Sequence, residues 1–283
     1  MTMLDNLSSR VKADFSRARM KAFFNQVRGV IGGQPRTLLS YDEVKEKLRI
    51  GGPIYQGVQT VLVEKIAGSL NRYHQFDRAF LPLQDKLAER WQRINRAFYE
   101  DISLPPVVLY KVGEVYFVVD GHHRVSVARE QGQLYIDAEV RECSTAVNIT
   151  ADIRPEDLEI LGEKVDFLER TGFDRLYPDA NIILTIPDGF SRMLEHIAVH
   201  GYFMGIEMQR DISEEEAVRH WYETVYLPIV AIIRKSSILK QFPKKTEGDL
   251  YLWVLDRQHY LSFEGHALQP PEDAAEDFVD EVK

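Results

Sequence analysis

Cysteine is nearly missing from this sequence, which has only Cys143 among its 283 residues. A single cysteine closes no internal disulfide and builds no thiolate metal centre, so disulfide-rich scaffolds and zinc ribbons are excluded. We interpret Cys143 as a small buried hydrophobic residue.

Long apolar runs are missing too. Stretches such as Val115–Val119 and Ile182–Ile186 have five residues, whereas a membrane-spanning helix needs about 20. The N-terminus also lacks the apolar core of a secretory signal. Because 45% of the residues are hydrophobic, disorder is not expected either. The composition predicts a soluble, cytoplasmic, globular protein.

Charge is distributed unevenly along the chain. Residues 1–36 hold seven Lys or Arg against two Asp, a net of +5, which leaves −14 for the rest of a chain whose net charge is −9. A helix is predicted over Ser8–Val30 from its apolar spacing. An acidic body disfavours general coating of duplex DNA. The basic helix is either a solvated helix or a contact for nucleic acid, an acidic protein or a membrane surface.

Hydrophobic periodicity and turn residues divide the chain into parts. We expect a helical extension (1–58), a small sheet domain (59–145), a C-terminal α/β region (146–268) and an acidic tail (269–283). The sheet domain is predicted to contain strands Gln59–Ile66, Val107–Lys111, Val115–Val119 and Tyr135–Arg141, with helices Gln84–Glu100 and His122–Gln131.

The C-terminal region has a different pattern. A helix over Pro155–Arg170 is predicted to precede a βαβ-like unit, which consists of strand Asn181–Pro187, helix Gly189–His200 and strand Tyr202–Gln209. Two further helices begin after the N-caps Ser213 and Thr246, and the first is interrupted at Pro228. The predicted fold class is therefore α+β.

The motif Asp120-Gly121-His122-His123-Arg124 is the strongest chemical signal. It joins an apolar strand to a helix, and the free N–H groups of a helix N-terminus form an anion site. Gly121 permits a tight turn, Arg124 offers a planar fork to phosphate, and the histidines add donors. Asp120 is a candidate Mg²⁺ ligand or proton acceptor. The alternative is a capping turn whose histidines pack or face solvent.

A second polar cluster follows the first strand of the predicted sheet domain. Gly68 and Ser69 are candidates for approaching an anion, and Arg72 and Arg78 for contacting phosphate. In the alternative interpretation, this is a surface loop whose arginines pair with nearby aspartates. Those aspartates are Asp77 and Asp85.

Residues 59–141 resemble the ParB/sulfiredoxin superfamily domain. The similarity is carried by a strand with an arginine-bearing loop, a helix, a hairpin led by Pro105-Pro106, and a Gly-x-x-Arg signature. That signature is here Gly121-His122-His123-Arg124. Its Asp-Gly-His-His-Arg form looks like the branches that include free-serine kinases.

The resemblance implies a small mixed sheet and the binding of nucleotide phosphates by the signature turn, with a role for Arg72 and Arg78. One implied function is a regulatory or interaction protein that binds ATP, ADP or CTP with Mg²⁺. The alternative is a phosphotransferase that acts on a small hydroxyl substrate, with Asp120 and His123 as catalytic residues and Asp120 as metal ligand. A metal-dependent nuclease is a third hypothesis, which the acidic balance and the missing carboxylate cluster count against.

Two departures limit the resemblance. Histidine occupies the turn where sulfiredoxin chemistry needs cysteine, and no helix-turn-helix pattern follows residue 150, so neither sulfinic-acid reduction nor centromere binding is expected. A homodimer, and a protein or nucleic-acid partner at the basic helix, remain open. Elsewhere, Glu216 and His220 have the i, i+4 spacing of a metal pair, or form part of an ordinary acidic first helical turn.

Overall fold

The structure is a computed structural model that describes residues 3–32, 37–263 and 269–282. Backbone contacts divide the chain into two compact units, residues 1–158 and 159–283. No helix among the described residues is long and apolar enough to cross a membrane.

Unit 1 is built on a mixed sheet of six strands in the described residues, in the order β1-β3-β5-β4-β6-β2. The strands are β1 Leu39–Ser40, β2 Pro53–Leu62, β3 Ile66–Ser69, β4 Val107–Val112, β5 Val115–Asp120 and β6 Tyr135–Cys143. Pairing is parallel for β1/β3, β3/β5 and β4/β6, and antiparallel for β4/β5 and β2/β6. The α+β class is thereby confirmed. Because β2 begins at Pro53, the sheet includes residues that were expected in the helical extension.

Four α-helices accompany this sheet in the part of unit 1 that the structure describes. They are α1 Met3–Gly32, α2 Tyr41–Lys47, α3 Ala88–Tyr99 and α4 His122–Glu130. Helix α4 packs on β4 and β6, α3 packs on α4, α1 packs on α3, and α2 contacts β1. In α1, Phe15 packs edge-on against Trp91 of α3 with ring centroids 5.5 Å apart, and Ala18 and Ala22 are fully buried in the same cluster. These contacts hold α1 and α3 together and so position one border of the site described below.

Unit 2 is helical. Its helices are α5 Pro155–Thr171, whose first four residues belong to unit 1, α6 Phe173–Leu176, α7 Gly189–Met208, α8 Glu214–Trp221, α9 Leu227–Ser236, α10 Glu247–Phe263 and α11 Pro271–Val282. A π-helical turn, Tyr222–Tyr226, joins α8 to α9 immediately before Pro228. Because proline has no N–H to donate, this is where the regular helical ladder is interrupted, as predicted.

The prediction of a βαβ-like unit is wrong. Residues 202–208 continue α7, since Gly201 and Gly205 do not break the helix. A Cβ at Gly201 would lie 2.9 Å from the Cβ of Ala217 in α8, so this glycine permits close helix packing. The apolar alternation in residues 202–209 was therefore misleading.

Residues 181–187 form no strand either, although Ile182 and Leu184 are buried and Ile183 between them is exposed. The backbone of this segment is satisfied by side chains instead of a neighbouring strand. Thr185 donates its N–H to Oδ1 of Asp249 at 2.8 Å, and Lys164 donates to the carbonyl of Ile182 at 3.0 Å.

The residues expected as an acidic tail form α11, which packs against α9 and α10. Ala274, Ala275, Phe278 and Val279 are buried there. Their spacing is that of an amphipathic helix whose acids lie on the outer face.

Candidate anion site at the start of α4

Gly121 makes the turn from β5 into α4. Its φ is +99°, a left-handed conformation that favours glycine, and a Cβ there would lie 2.5 Å from Cγ1 of Val107. No side chain caps the N-terminus of α4, and its first turn contains no acid. The first N–H groups of α4 therefore have no side-chain acceptor of the kind that usually satisfies them.

His122, the first residue of α4, is buried and anchored to β3. Its Nε2 lies 2.8 Å from Oγ of Ser69, and the same oxygen accepts the backbone N–H of Arg72 at 2.9 Å. The imidazole also stacks on Phe76 with ring centroids 6.2 Å apart. One hydroxyl thus ties the loop after β3 to the start of α4.

His123 is 5% exposed and lies edge-on to Phe76, with ring centroids 5.5 Å apart. Its Nδ1 is buried and has no hydrogen-bond partner within the described chain. Such an atom is uncommon in a folded protein, because an unsatisfied buried polar group costs about 1–3 kcal/mol.

Both histidines are neutral at neutral pH. Burial lowers the pKa of each imidazole to about 4, and positive charge from Arg72 and Arg90 lowers both pKa values further. Arg93 adds to this effect on the pKa of His123, whereas Asp120 opposes it at His122. A neutral imidazole has one donor and one acceptor nitrogen, so Nδ1 of His123 can donate when Nε2 carries no proton.

Arg72, Arg90 and Arg93, here called the arginine cluster, surround the two histidines closely enough to depress their pKa values. None of the three forms an ion pair with any carboxylate in the part of the chain that the structure describes. Arg72 donates to Oε1 of Gln75 at 3.2 Å. Three uncompensated cations beside an uncapped helix start create a strongly positive local field.

Sequence reasoning identified Arg72 but missed Arg90 and Arg93. Both are exposed on α3 at i, i+3, and therefore share a helical face. The spacing of the two arginines was visible in the sequence, but not the packing of α3 against α4, which brings them to His123.

Arg124 and Asp120 hold each other. Nη2 of Arg124 donates to Oδ2 of Asp120 at 2.6 Å, while Nη1 donates to the carbonyls of Pro106, at 2.8 Å, and Pro105. The Arg124 side chain is 13% exposed and that of Asp120 is 61% exposed. The fork that was expected on phosphate is thus occupied in fixing the segment before β4 to the turn after β5.

Two other predicted residues have structural partners. Arg78 donates to the carbonyls of Ala151 and Ile153 at 2.7 and 2.6 Å, and burial lowers its pKa. A Cβ at Gly68 would lie 2.2 Å from the ring of Phe117, so the close approach at this glycine is to a core side chain.

The alternative interpretation, in which Arg72 and Arg78 pair with Asp77 and Asp85, is not observed either. Asp77 accepts the N–H groups of Ala79 and Leu81 through Oδ1 and the amide of Asn25 through Oδ2. Asp85 pairs with Arg19 of α1 at 2.9 Å. The polar loop after β3 is therefore held by its own hydrogen bonds, and its Phe76 packs against both histidines.

An open groove of about 420 Å³ adjoins Arg124 in unit 1. Ile94 and Phe98 of α3, Val127 of α4 and Tyr135 of β6 contribute to its walls. Its volume lies within the range of small-molecule sites. Polar side chains line it as well, among them the carboxylates Asp101 and Asp137. Since Ile94 follows Arg93 along α3, this helix contributes both to the groove and to the arginine cluster, through Arg90 and Arg93.

No group of three or more His, Cys, Asp or Glu side chains suited to a metal ion occurs among the described residues. Asp120 is a single carboxylate already paired with Arg124, so it fits Mg²⁺ only as one ligand beside phosphate oxygens. In unit 2, Glu216 pairs with Arg210, and His220 Nδ1 lies 2.7 Å from His200 Nε2. Glu216 and His220 therefore each have another partner, and they do not act together as a metal-binding pair.

No protein-family model matches the chain, and a search of curated proteins found no match.

Proposed function

We propose that unit 1 binds the phosphates of a nucleotide at the start of α4, as a regulatory or interaction module of the ParB/sulfiredoxin-like type. The observation that carries this proposal is Nδ1 of His123, which is buried without a partner beside the arginine cluster. The strand–turn–helix order around Gly121, and the β4–β5 hairpin before it, agree with the resemblance in the sequence.

Electrostatics favour an anion at this position. The three arginines of the arginine cluster repel one another, and the neutral imidazoles beside them do not offset this repulsion. No carboxylate among the described residues pairs with these arginines. A phosphate group would accept hydrogen bonds from the free N–H groups of α4. It would also accept one from Nδ1 of His123 once the side chains that cover this buried atom move aside. It would also neutralise the arginine cluster, and would leave His122 in its structural role.

The groove beside Arg124 favours a nucleotide over bare phosphate. Its volume is about 420 Å³, and its walls offer the rings of Phe98 and Tyr135 to a nucleoside. The carboxylates of Asp101 and Asp137 also line it, so the groove would take the nucleoside and leave the polyphosphate at the start of α4. ATP, ADP and CTP all carry a polyphosphate, so the base is left to experiment. When bound, Mg²⁺ would supply charge neutralisation between phosphate oxygens, with Asp120 as the nearby carboxylate.

The phosphotransferase hypothesis needs a base beside an acceptor hydroxyl. Asp120 is exposed enough to meet a substrate, but Arg124 holds its Oδ2. No contact in the described residues favours turnover over binding, so the binding module is the function we propose. Consumption of ATP in the presence of small alcohols or amino acids would favour the kinase.

Isothermal titration calorimetry of the full chain tests the proposal. The titrants are ATP, ADP, CTP and inorganic triphosphate, each with and without Mg²⁺. We expect at least one nucleotide to bind more tightly than triphosphate, because it also fills the groove. If no titrant binds at millimolar concentration, the proposed function is wrong.

A further inference from the structure

Helix α1 carries apolar side chains on two opposite faces. The inner face packs in unit 1 and includes buried Val11, Phe15, Ala18 and Ala22. The outer face has four exposed apolar side chains at i, i+3, i+4 and i+7, here called the outer stripe: Met20, Phe23, Phe24 and Val27. At 100° per residue the two sets lie on opposite sides of the helix.

The outer stripe is a continuous surface. Its side chains are between 40% and 60% exposed, and Phe23 contacts Phe24 edge-on with ring centroids 5.8 Å apart. Single exposed apolar residues are ordinary, but an ordered stripe with two phenylalanines marks a docking surface.

Within α1 itself, the charged residues that accompany the stripe are all basic. Residues 15–32 contain four Lys or Arg and no acid, although the chain as a whole has a net charge of −9. These cations are Arg17, Arg19, Lys21 and Arg28. Three of them form ion pairs at the surface of unit 1: Lys21 with Glu130 at 3.0 Å, Arg19 with Asp85 at 2.9 Å, and Arg17 with Asp14 at 3.3 Å. The nearest preceding acid, Asp14, is buried on the inner face, where it accepts hydrogen bonds from Asn95 and Tyr99.

We propose that the outer stripe docks α1 along an anionic lipid surface, independently of any nucleotide. Aromatic side chains would enter the headgroup boundary, and Arg28 would meet the anionic headgroups directly. Arg17 and Lys21, which are 59% and 51% exposed, would exchange their surface ion pairs for headgroup phosphates. Duplex DNA offers charge but no apolar phase for Phe23 and Phe24. A symmetric contact with a second copy would bring the same cations against each other.

Helix α7 provides an internal comparison. It carries an exposed stripe of the same spacing, formed by Val199, Tyr202, Phe203 and Ile206. However, α7 contains Glu195 and Glu207 and only one basic side chain other than histidine, Arg192. Removing Tyr202 and Phe203 from α7 therefore removes about as much exposed apolar surface as removing Phe23 and Phe24 from α1. It does so on a helix that is not predominantly basic, so it is a matched control.

Co-sedimentation of the full chain with vesicles tests this proposal. One set of vesicles is pure phosphatidylcholine, and in the other about a third of the lipid is phosphatidylglycerol. We expect binding to the second set only, weakened by salt, and weakened roughly tenfold or more in Phe23→Ser/Phe24→Ser. Tyr202→Ser/Phe203→Ser should bind as the wild type does. Circular dichroism measures whether both variants fold. We expect that they do, because the replaced rings are exposed.

Three results would overturn the proposal. The first is absence of binding to anionic vesicles, and the second is equal loss of binding in both double variants. The third is self-association, or binding to duplex DNA, that Phe23→Ser/Phe24→Ser abolishes while vesicle binding is unchanged. Since nucleotide titration reads out a different site, failure here leaves the proposed function standing.

Discussion

The hydroxyl oxygen of Ser69 lies 2.8 Å from Nε2 of His122, and it also accepts the backbone N–H of Arg72. Ser69 ends β3 and is fully buried, while His122 begins α4. One hydroxyl therefore joins the two elements that border the candidate site.

Ser69→Ala should lower the free energy of unfolding by about 1–3 kcal/mol, because it leaves a buried imidazole nitrogen and an N–H without their partner. Urea denaturation measures the change. Ser16→Ala, at an exposed position of α1, is the control and should stay within about 0.5 kcal/mol of the wild type. Equal stability of the two variants would show that the hydroxyl is not a structural link.

Stability should fall between pH 6.5 and pH 4. The pKa values of His122 and His123 are about 4 in the folded chain, below the ordinary 6.5, so the unfolded chain binds more protons in this interval. Their contribution is complete above pH 6.5, and each loses up to about 1.4 kcal/mol per pH unit on acidification.

Unfolding free energies of His123→Gln across this interval test the assignment. The variant has one fewer buried imidazole to protonate, so it should lose less stability on acidification than the wild type. His74→Gln replaces an exposed histidine of the same unit and should follow the wild-type profile. Parallel profiles for all three proteins would contradict the burial of His123.

Gly121→Ala should destabilise unit 1 by about 1–3 kcal/mol, since alanine is strained at positive φ and its Cβ would meet Val107. Gly52→Ala is the control, because a Cβ there meets nothing within 4 Å. The two variants are compared by urea denaturation. A Gly121→Ala protein as stable as Gly52→Ala would exclude the left-handed turn.

Much of unit 1 could be predicted from the sequence. Three local signals predict elements close to their observed bounds: the apolar run before Asp120 predicts β5, the glycine after it predicts the start of α4, and Pro105-Pro106 predicts the start of β4. These signals are local, and local hydrogen bonding and sterics decide them.

Tertiary packing decided the rest. Arg90 and Arg93 join the candidate site only because α3 packs against α4, and Arg124 is occupied only because the chain brings Pro105 and Pro106 beside it. In unit 2, the alternation around Ile183 resembles a strand, but Asp249 satisfies the backbone that a neighbouring strand would satisfy. No single-sequence pattern shows such distant partners.

Arg124→Ala should reduce stability by about 1–3 kcal/mol, because three acceptors lose their donor. Arg124→Lys should rescue little, since an ammonium cannot reproduce the planar fork. Asp120→Asn keeps both proline carbonyl contacts and should cost less than either. Urea denaturation ranks the three variants. If Arg124→Ala is as stable as the wild type but loses nucleotide binding, Arg124 contacts phosphate directly, and its hydrogen bonds to Asp120, Pro105 and Pro106 do not stabilise the fold.

The most direct test of the central claim is the nucleotide affinity of Arg90→Ala/Arg93→Ala, measured by calorimetry with MgATP and MgCTP on the full chain. Loss of even one charge-assisted contact costs about 1.5–3 kcal/mol, so binding should weaken at least tenfold. The matched control is Lys47→Ala/Arg141→Ala, which removes two exposed cations of the same unit and should stay within about twofold of the wild type. Unchanged affinity in Arg90→Ala/Arg93→Ala, or an equal loss in the control, would contradict an anion site at the start of α4.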